Sequence, residues 1–329
     1  MEQISITDKN NCIILAKACE SGNLELVKYL VHLGADINNE NNFGVTHIFN
    51  ACESGNIILI KYLVEQGLDI NKESNYGHTP LFDACFNGNL DIVKYLIDHG
   101  LDINKETIDG RTPLFSACQK GHEDIVSYLV EHGLDINKED IEGFTPLFCA
   151  CKEGHIDIVK YLVELGADIC KESNVGVTVL MEACWRENLN LIKYLAEHGL
   201  DVNKEDNGVW NPLFIACQNG HINSVKYLLE LGANLNKKTN NGTTLLLSAC
   251  YSENINLIKF LVELGLDINK EGNSNGWIML FNACDKGYLP IVKYLVEQGT
   301  YINKQTKNGF TPLFNACKTG NLSLVKYLV

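Results

Sequence analysis

Residues 77–109 read GHTPLFDACFNGNLDIVKYLIDHGLDINKETID, and variants of this stretch recur along the chain. The dipeptide Ala-Cys shows the period of the repeat. Its successive copies are separated by the same distance as Cys52 and Cys85, except that the step from Cys250 to Cys284 is one residue longer. A fixed period of roughly 33 residues indicates a repeat architecture in which each unit is one supersecondary element. The cysteines of the ten dipeptides are Cys19, Cys52, Cys85, Cys118, Cys151, Cys184, Cys217, Cys250, Cys284 and Cys317.

The first part of each unit is predicted to form a short helix. In the quoted stretch, Thr79 is placed to cap this helix, and Pro80 suits its first position, where a missing N–H costs nothing. Gly88 is expected to end the helix, since glycine adopts the left-handed conformation that closes many helices. The sequence therefore predicts a helix of about two turns between Thr79 and Gly88.

A second helix is predicted to follow directly. Asn89 is placed to cap it, and Asp91 lies favourably at its positive end. Gly100 is expected to end it, and residues 101–109 are predicted to form an extended, turn-rich loop. Four apolar residues lie at helical spacing and would share one face of this helix: Ile92, Val93, Leu96 and Ile97.

Neither helix is long enough to be stable alone, because isolated helices shorter than about 12–15 residues are marginal in water. Stacked units would bury their apolar faces in one continuous core. We therefore expect an all-α solenoid of helix-turn-helix pairs with projecting loops that resemble β-hairpins. One domain is expected over positions 1–329, with a cap segment at 1–11 and ten units of the period given above, the last of them truncated.

The truncated last unit predicts an uncovered surface. The sequence stops inside a second helix, so Leu324, Val325 and Leu328 are expected to be exposed on one side. We expect either that the array is a piece of a longer one or that its end pairs with another surface.

The unit resembles the ankyrin repeat, from about Asn11 to Val329. The ankyrin family implies an elongated, curved, non-catalytic solenoid that holds partner proteins with its loop tips and its inner, concave helix face. Because such stacks bind unrelated targets, the resemblance names no partner. One unit shows the matching residues at the expected offsets: Thr112-Pro113-Leu114, Gly121-His122, Ile125-Val126, Gly133 and Asp135.

The chain departs from the ankyrin pattern in three places. Phenylalanine replaces the histidine after Thr-Pro-Leu, so apolar stacking is expected to replace hydrogen bonding between repeats there. The second small residue, usually alanine, is cysteine. The seventh unit is irregular, with Gly208 one place early and Asn211 where threonine is usual. The phenylalanines are Phe82, Phe115, Phe148, Phe214 and Phe314, with Phe49 and Phe281 aligned.

The composition, with 46% hydrophobic and 21% charged residues, suits a soluble protein with a substantial core. The formal net charge of −14 argues against nucleic acid or an anionic membrane as the partner. The first eleven residues lack the basic and apolar regions of a secretory signal, and no apolar run approaches the roughly 20 residues of a membrane span. The sequence therefore predicts an intracellular, cytoplasmic protein.

The 13 cysteines raise the question of a disulfide, metal or catalytic site. Packed helices lie roughly 8–10 Å apart, beyond the separation of about 7 Å that a disulfide allows between Cα atoms. No Cys-x-x-Cys pair occurs, so neither a metal nor another cofactor is expected. Cys118 and His122 have a spacing that could serve catalysis, but asparagines such as Asn89 replace the histidine in other units. The simpler interpretation is that this residue stands at the start of the second helix. Neither catalysis nor a small-molecule substrate is expected.

Lysine recurs in the tripeptide Lys-Tyr-Leu, as at Lys94, and could form a basic stripe for an acidic partner. Glutamates such as Glu131 recur nearby. We therefore interpret this surface as a mixed, solvated face.

Positions that differ between otherwise similar units are predicted to contact a partner protein. In ankyrin proteins the contact positions resemble three places: the loop tip, the residue after its glycine, and the pair after the small-residue dipeptide. Interface hot spots favour Trp, Tyr and Arg, although Trp210 could equally fill a gap between irregular loops. The predicted partner-binding residues are Tyr76, His78, Phe86, Arg111, Phe144, Trp185, Arg186, Trp210, Tyr251 and Trp277.

Three functions remain open from the sequence. The leading one is a protein-interaction scaffold that binds an unidentified partner protein. The second is the substrate-recruiting part of a larger enzyme assembly, such as a ubiquitin-ligase adaptor or an effector, which needs an adaptor or catalytic domain beyond Val329. The third is a mechanical spacer, which predicts no preferred ligand.

Overall fold

The computed structural model describes residues 9–270 and 278–329. The chain divides into two compact units, called here the N-terminal unit, Met1–Ile169, and the C-terminal unit, Cys170–Val329. Regular structure in the described residues is almost entirely helical, in consecutive pairs that we number as repeats one to ten. The N-terminal unit contains α1 Lys9–Glu20, α2 Leu24–His32, α3 His47–Ser54, α4 Ile57–Glu65, α5 Pro80–Asn87, α6 Leu90–Asp98, α7 Pro113–Lys120, α8 Glu123–Glu131, α9 Pro146–Glu153 and α10 Ile156–Glu164. The C-terminal unit contains α11 Val179–Ala183, α12 Leu189–Glu197, α13 Pro212–Asn219, α14 Ile222–Glu230, α15 Leu245–Cys250, α16 Ile255–Glu263, α17 Met279–Lys286, α18 Leu289–Glu297, α19 Pro312–Lys318 and α20 Leu322–Leu328.

Repeat three shows why these residues form a helix pair. Pro80 is the first residue of α5, where its missing N–H would have no acceptor within the helix. Helix α5 ends before Gly88, whose φ of 79° is a left-handed conformation that a side chain would strain. The helix, tight turn and second helix predicted for this repeat are confirmed.

The capping interactions predicted for repeat three are wrong in detail. Thr79 stands at the N-cap position of α5, but its buried hydroxyl makes no hydrogen bond. The hydroxyls of Thr46 and Thr112 are buried without a partner in the same way. The side chain of Asn89 makes no capping hydrogen bond to α6, and its Nδ2 donates to the carbonyl of Cys52 in repeat two at 2.9 Å. The equivalent Asn56 makes both kinds of bond, so contact with the neighbouring repeat does not by itself exclude a cap.

The core lies between first helices of adjacent repeats. Helix α5 packs on α3 and on α7, and Leu81, Phe82 and Cys85 are buried there. On the second helix Ile92 and Leu96 are buried as predicted. Full burial of one such side chain stabilises the fold by about 1.5–3 kcal/mol. Apolar stacking therefore occupies the place of the histidine. The hydroxyls of Thr46, Thr79 and Thr112 have no partner there, whereas that of Thr311 accepts from the N–H of Phe314.

The lysine of Lys-Tyr-Leu lies over the aromatic ring of the next repeat. The Nζ of Lys61 is 5.7 Å from the ring centroid of Tyr95, and the Nζ of Lys94 is 5.6 Å from that of Tyr128. Such a cation–π contact contributes about 0.5–1 kcal/mol at an exposed site. The lysines of Lys-Tyr-Leu therefore face solvent and also join neighbouring repeats. The C-terminal unit repeats the contact in Lys193 with Tyr227, Lys226 with Phe260, Lys259 with Tyr294 and Lys293 with Tyr327.

Ion pairs join the loops of successive repeats. The Nζ of Lys105 is 2.7 Å from a carboxylate oxygen of Glu73, and Lys138 forms the same pair with Glu106. Half-exposed pairs of this kind contribute roughly 0–1 kcal/mol each. The hairpin-like form expected of the loops is confirmed by isolated antiparallel bridges at Glu40 with Thr46, Glu172 with Thr178 and Lys238 with Thr244.

The last helix pair leaves two of the three predicted residues partly uncovered. Val325 and Leu328 are half-buried, whereas the equivalent Val292 and Leu295 of repeat nine are fully buried. Leu324 is itself fully buried, so the prediction is wrong for this residue. The equivalent Leu26 of repeat one is exposed, so this position faces the preceding repeat and is covered in repeat ten. The side chain of Phe314 is 49% exposed in its place.

The loop of repeat seven shows why Gly208 stands one place earlier than the loop glycine of other repeats. Val209 occupies the place of the loop glycine and has a φ of 63°, which strains a β-branched residue. A Cβ on Gly208 would lie 3.1 Å from Cδ1 of Trp210. A side chain at 208 would therefore have to displace the indole ring slightly, while the left-handed conformation of the loop falls on Val209.

Replacing Val209 with glycine is expected to stabilise the C-terminal unit by about 0.5–1 kcal/mol. The left-handed conformation costs an L-residue roughly 1–2 kcal/mol, and the greater chain entropy of glycine offsets part of the gain. Urea unfolding followed by circular dichroism measures the change.

The matched control is Gly176→Val, the reverse substitution at the same loop position one repeat earlier. There a Cβ would lie 3.1 Å from the Cα of Asp206, at a φ of 82°. This variant is expected to lose stability. Equal stability of Val209→Gly and the parent would show that Val209 is unstrained.

Candidate functional site

Three exposed aromatic side chains occupy one position of the repeat, the residue directly after Ala-Cys. Phe86, Trp185 and Tyr251 are 40%, 44% and 45% exposed. Because Ala-Cys points into the core, the next residue along the helix turns toward solvent. We call the exposed side of the first helices in each unit its first-helix face.

Trp185 lies where the first helix of repeat six ends early. Helix α11 stops at Ala183, and the backbone N–H of Trp185 donates to the carbonyl of Glu182 at 3.1 Å. This repeat has Glu187 where repeat three has its helix-ending glycine. The shortened helix leaves Trp185 and Arg186 exposed side by side, as predicted for contact residues.

Tyr251 occupies the same place two repeats later, at the C-cap of α15. The Nζ of Lys286 lies 5.9 Å from its ring centroid, so a cation adjoins the exposed ring. Glu253 takes the helix-ending glycine position here with a φ of 59°. Burial, followed by a hydrogen bond to Glu253, raises the pKa of Tyr288 to about 12.

Charged groups surround Phe86 on the first-helix face of the N-terminal unit. The Nζ of Lys120 lies 4.1 Å from the ring centroid of Phe86. Asp83 is half-buried on the preceding turn, and burial, followed by the nearby charge of Glu53, raises its pKa to about 7. Burial, followed by the charge of Glu20, also raises the pKa of Glu53. The face therefore holds a carboxyl group that changes its charge near neutral pH.

Two of the predicted contact residues pack on the phenylalanine of their own repeat. The ring of His78 lies 4.9 Å from that of Phe82, and partial burial lowers the pKa of His78. The ring of Phe144 lies 5.2 Å from that of Phe148, edge to face. The residue after the loop glycine thus extends the apolar stack, with one side left toward solvent.

Arg111 and Trp210 are held in the same way. The guanidinium of Arg111 lies 5.8 Å from the ring centroid of Phe115, and its NH2 nitrogen is 3.0 Å from a carboxylate oxygen of the buried Asp140. The ring of Trp210 lies 5.7 Å from that of Phe214. Trp210 therefore packs over Gly208, in agreement with the alternative that it fills a gap between irregular loops.

The loop tips of the N-terminal unit expose an apolar row. Tyr76 is 49% exposed, and its ring stacks at 6.3 Å on that of Phe43. The next tips expose Ile108 and Ile141. Sequence reasoning missed Phe43 and Ile108 as contact residues, although both differ from their counterparts in other repeats. Trp277 lies outside the described residues.

The histidines that follow a cysteine at a spacing suited to catalysis hydrogen-bond to backbone carbonyls of the preceding repeat. The Nε2 of His122 is 3.0 Å from the carbonyl oxygen of Phe86, and that of His155 is 3.2 Å from that of Gln119. His122 is also the N-cap residue of α8, so the helix-entry role is confirmed. Burial raises the pKa of Cys118 well above its usual value, which disfavours the thiolate needed for nucleophilic attack. Among the described residues no group of His, Cys, Asp or Glu could hold a metal ion.

Comparison with known proteins identifies the repeat. A family model described as ankyrin repeats, three copies, matches residues 15–107, 102–173, 170–239, 232–306 and 269–329. The crystal structure of the human ASB11 ankyrin repeat domain is 28% identical, with a TM-score of 0.57 over 66% of this chain and 96% of that chain. No curated protein sequence matches the chain. In the described ranges, no helix combines the length and apolar character of a membrane span.

Asp83→Asn is expected to stabilise the protein by about 1 kcal/mol at pH 8, after allowance for partial exposure. Because the folded pKa is raised, the native carboxyl binds a proton more tightly than the unfolded one. Its cost to stability therefore grows as pH rises from about 4 to about 7 and is smallest in acid. The gain should shrink between pH 8 and pH 5 in urea unfolding.

The exposed Glu142 supplies the matched control, because Glu142→Gln removes one carboxylate at a loop tip. Its effect on stability should be small and nearly independent of pH. A gain for Asp83→Asn that stays constant from pH 5 to pH 8 would contradict the raised pKa.

Proposed function

The chain belongs to the ankyrin repeat family, and we propose that it is a non-catalytic scaffold that binds a partner protein through its loop tips and first-helix faces. Ankyrin repeats are generally modules of protein–protein interaction. The observation that carries the proposal is the exposure of Trp185 and Tyr251 at a position where the other repeats vary.

The recurring side chains support this assignment by their use inside the stack. Lysines such as Lys94 contact the next repeat, the asparagine or histidine at helix entry reaches the previous one, and the loop lysines pair with glutamates. Side chains of these kinds recur from repeat to repeat because each stabilises a neighbour. Trp185 and Tyr251 do not recur from repeat to repeat, and they stay 44% and 45% exposed even though Lys286 adjoins the Tyr251 ring, so both are available for recognition.

The chemistry of these residues suits protein recognition. Trp185 and Tyr251 lie in the C-terminal unit with one repeat between them. A cationic residue adjoins each of them, because Arg186 follows Trp185 in the sequence and Lys286 lies beside the ring of Tyr251. Aromatic rings and arginine provide most of the hot spots in protein interfaces. A surface built on packed helices needs little ordering on binding, which favours affinity.

The absence of a catalytic role is also part of the proposal. The thiols at catalytic-like spacing are buried with raised pKa values, and their histidines bond to backbone carbonyls. The net charge of −14 favours a protein over nucleic acid or an anionic membrane as the partner. We also propose an intracellular, cytoplasmic setting for the protein.

The double variant Trp185→Ala/Tyr251→Ala is expected to weaken partner binding at least about tenfold, since each hot-spot side chain contributes about 2 kcal/mol or more. Affinity capture with quantitative mass spectrometry, from the cells that make the protein, measures which proteins are lost. Helical content should stay unchanged in circular dichroism, because both side chains are exposed.

Tyr301→Ala is the matched control, because Tyr301 is an exposed aromatic residue of the same unit that lies outside the first-helix face. It should retain the captured proteins. If the parent, the double variant and the control all capture the same proteins in equal amounts, the assignment of this face is wrong. A parent that captures no protein above background would favour a mechanical spacer.

A further inference from the structure

Four apolar side chains line the loop tips of the N-terminal unit, and we call them the tip row: Phe43, Tyr76, Ile108 and Ile141. Their exposed fractions are 55%, 49%, 64% and 65%. Phe43 and Tyr76 directly precede the loop glycine, and Ile108 and Ile141 stand one place earlier, so each of four consecutive tips exposes one apolar side chain. Exposed apolar residues are common singly, but such a run over consecutive tips is typical of an interaction surface.

Backbone hydrogen bonds hold the tip row rigidly. Each tip donates one N–H to the carbonyl of the tip before it, so the four tips form a continuous series. The spacing of the row is therefore fixed by the stack and does not depend on flexible side chains alone. The bonds are Asn75 N–H to Phe43 O at 2.8 Å, Ile108 N–H to Tyr76 O at 3.0 Å and Ile141 N–H to Asp109 O at 2.9 Å.

Negative charge adjoins one end of the tip row. Asp109 directly follows Ile108, Glu142 directly follows Ile141, and both carboxylates are exposed. Within the described residues neither of them forms an ion pair. The cations of the same loops are already paired with other carboxylates: Lys72 with Glu40, Lys105 with Glu73, Lys138 with Glu106 and Arg111 with Asp140.

We propose that the tip row binds one segment of a partner protein that is apolar along its length and carries lysine or arginine at the end that meets repeats four and five. The proposal rests on the proposed function and specifies the chemistry of the partner. Apolar side chains would cover the row, and the basic residues would pair with Asp109 and Glu142.

The dimensions of the row set the length of the segment. Stacked helices lie roughly 8–10 Å apart, so four tips span about 30 Å. An extended chain rises about 3.3 Å per residue, so about ten residues cover the row. A second copy of this chain is a poor occupant, because its net charge is −14 and its sequence contains no lysine- or arginine-rich block.

A displayed library of random 12-residue peptides, selected on the whole protein and sequenced, tests the proposal. We expect enrichment of peptides with apolar residues throughout and lysine or arginine toward one end. Enriched peptides, labelled with fluorescein, are then titrated in fluorescence anisotropy against the parent and three double variants.

The first variant is Ile108→Asn/Ile141→Asn, which places at these two tips the asparagine already present at the same position in Asn42 and Asn75. The fold should therefore tolerate it, and peptide affinity should fall at least tenfold. The second is Asp109→Asn/Glu142→Gln, which should weaken binding about three- to tenfold and reduce its dependence on salt. The third is Trp185→Ala/Tyr251→Ala, which should leave the affinity for these peptides unchanged.

Enriched peptides that bind the Ile108→Asn/Ile141→Asn variant as tightly as the parent would overturn the inference. If the same peptides instead lose affinity for Trp185→Ala/Tyr251→Ala, protein binding stands and the tip row is the wrong surface. Enrichment of acidic peptides, or of none, would also overturn the inference, while capture of a partner protein in the preceding experiment would still support the scaffold function.

Discussion

Burial between neighbouring repeats is the constraint on which the fold depends. Each repeat consists of two short helices that are marginal in isolation, and a single pair leaves much of its apolar surface uncovered. Leu81, Phe82 and Cys85 become buried because α5 lies between α3 and α7. The stability of any repeat is therefore a property of its neighbours, as in other solenoid proteins.

The same constraint separates structural residues from residues available for recognition. Most side chains that contact a neighbouring repeat recur, as the lysine–aromatic contacts, the loop ion pairs and the helix-entry hydrogen bonds do, with exceptions such as Ser127 in place of the lysine and Tyr288 at helix entry. A side chain that contacts nothing in the stack is free to change from repeat to repeat. Variation within one chain thus identifies candidate contact residues without any comparison between species, and exposure then separates Trp185 from Trp210.

Much of the fold followed from the period and from local helix signals, because proline, glycine and apolar spacing act within a single repeat. The caps were less predictable, because a side-chain hydrogen bond depends on a rotamer that the local sequence does not determine. Thr79 and Asn89 stand at N-cap positions without capping their helices, whereas Asn56 caps α4 and also contacts repeat one. The contact residues were only partly predictable. Position within the repeat indicated Trp185 and Tyr251, but the packing of Arg111 on Phe115 depends on three-dimensional structure.

Fragments of the N-terminal unit that contain two, three, four and five consecutive repeats test this dependence most directly, by urea unfolding followed with circular dichroism. If repeats stabilise one another, helicity and unfolding midpoint should rise with each added repeat, and a peptide of residues 77–109 alone should be largely unfolded. Equal midpoints for all fragments, or a folded single repeat, would contradict the account.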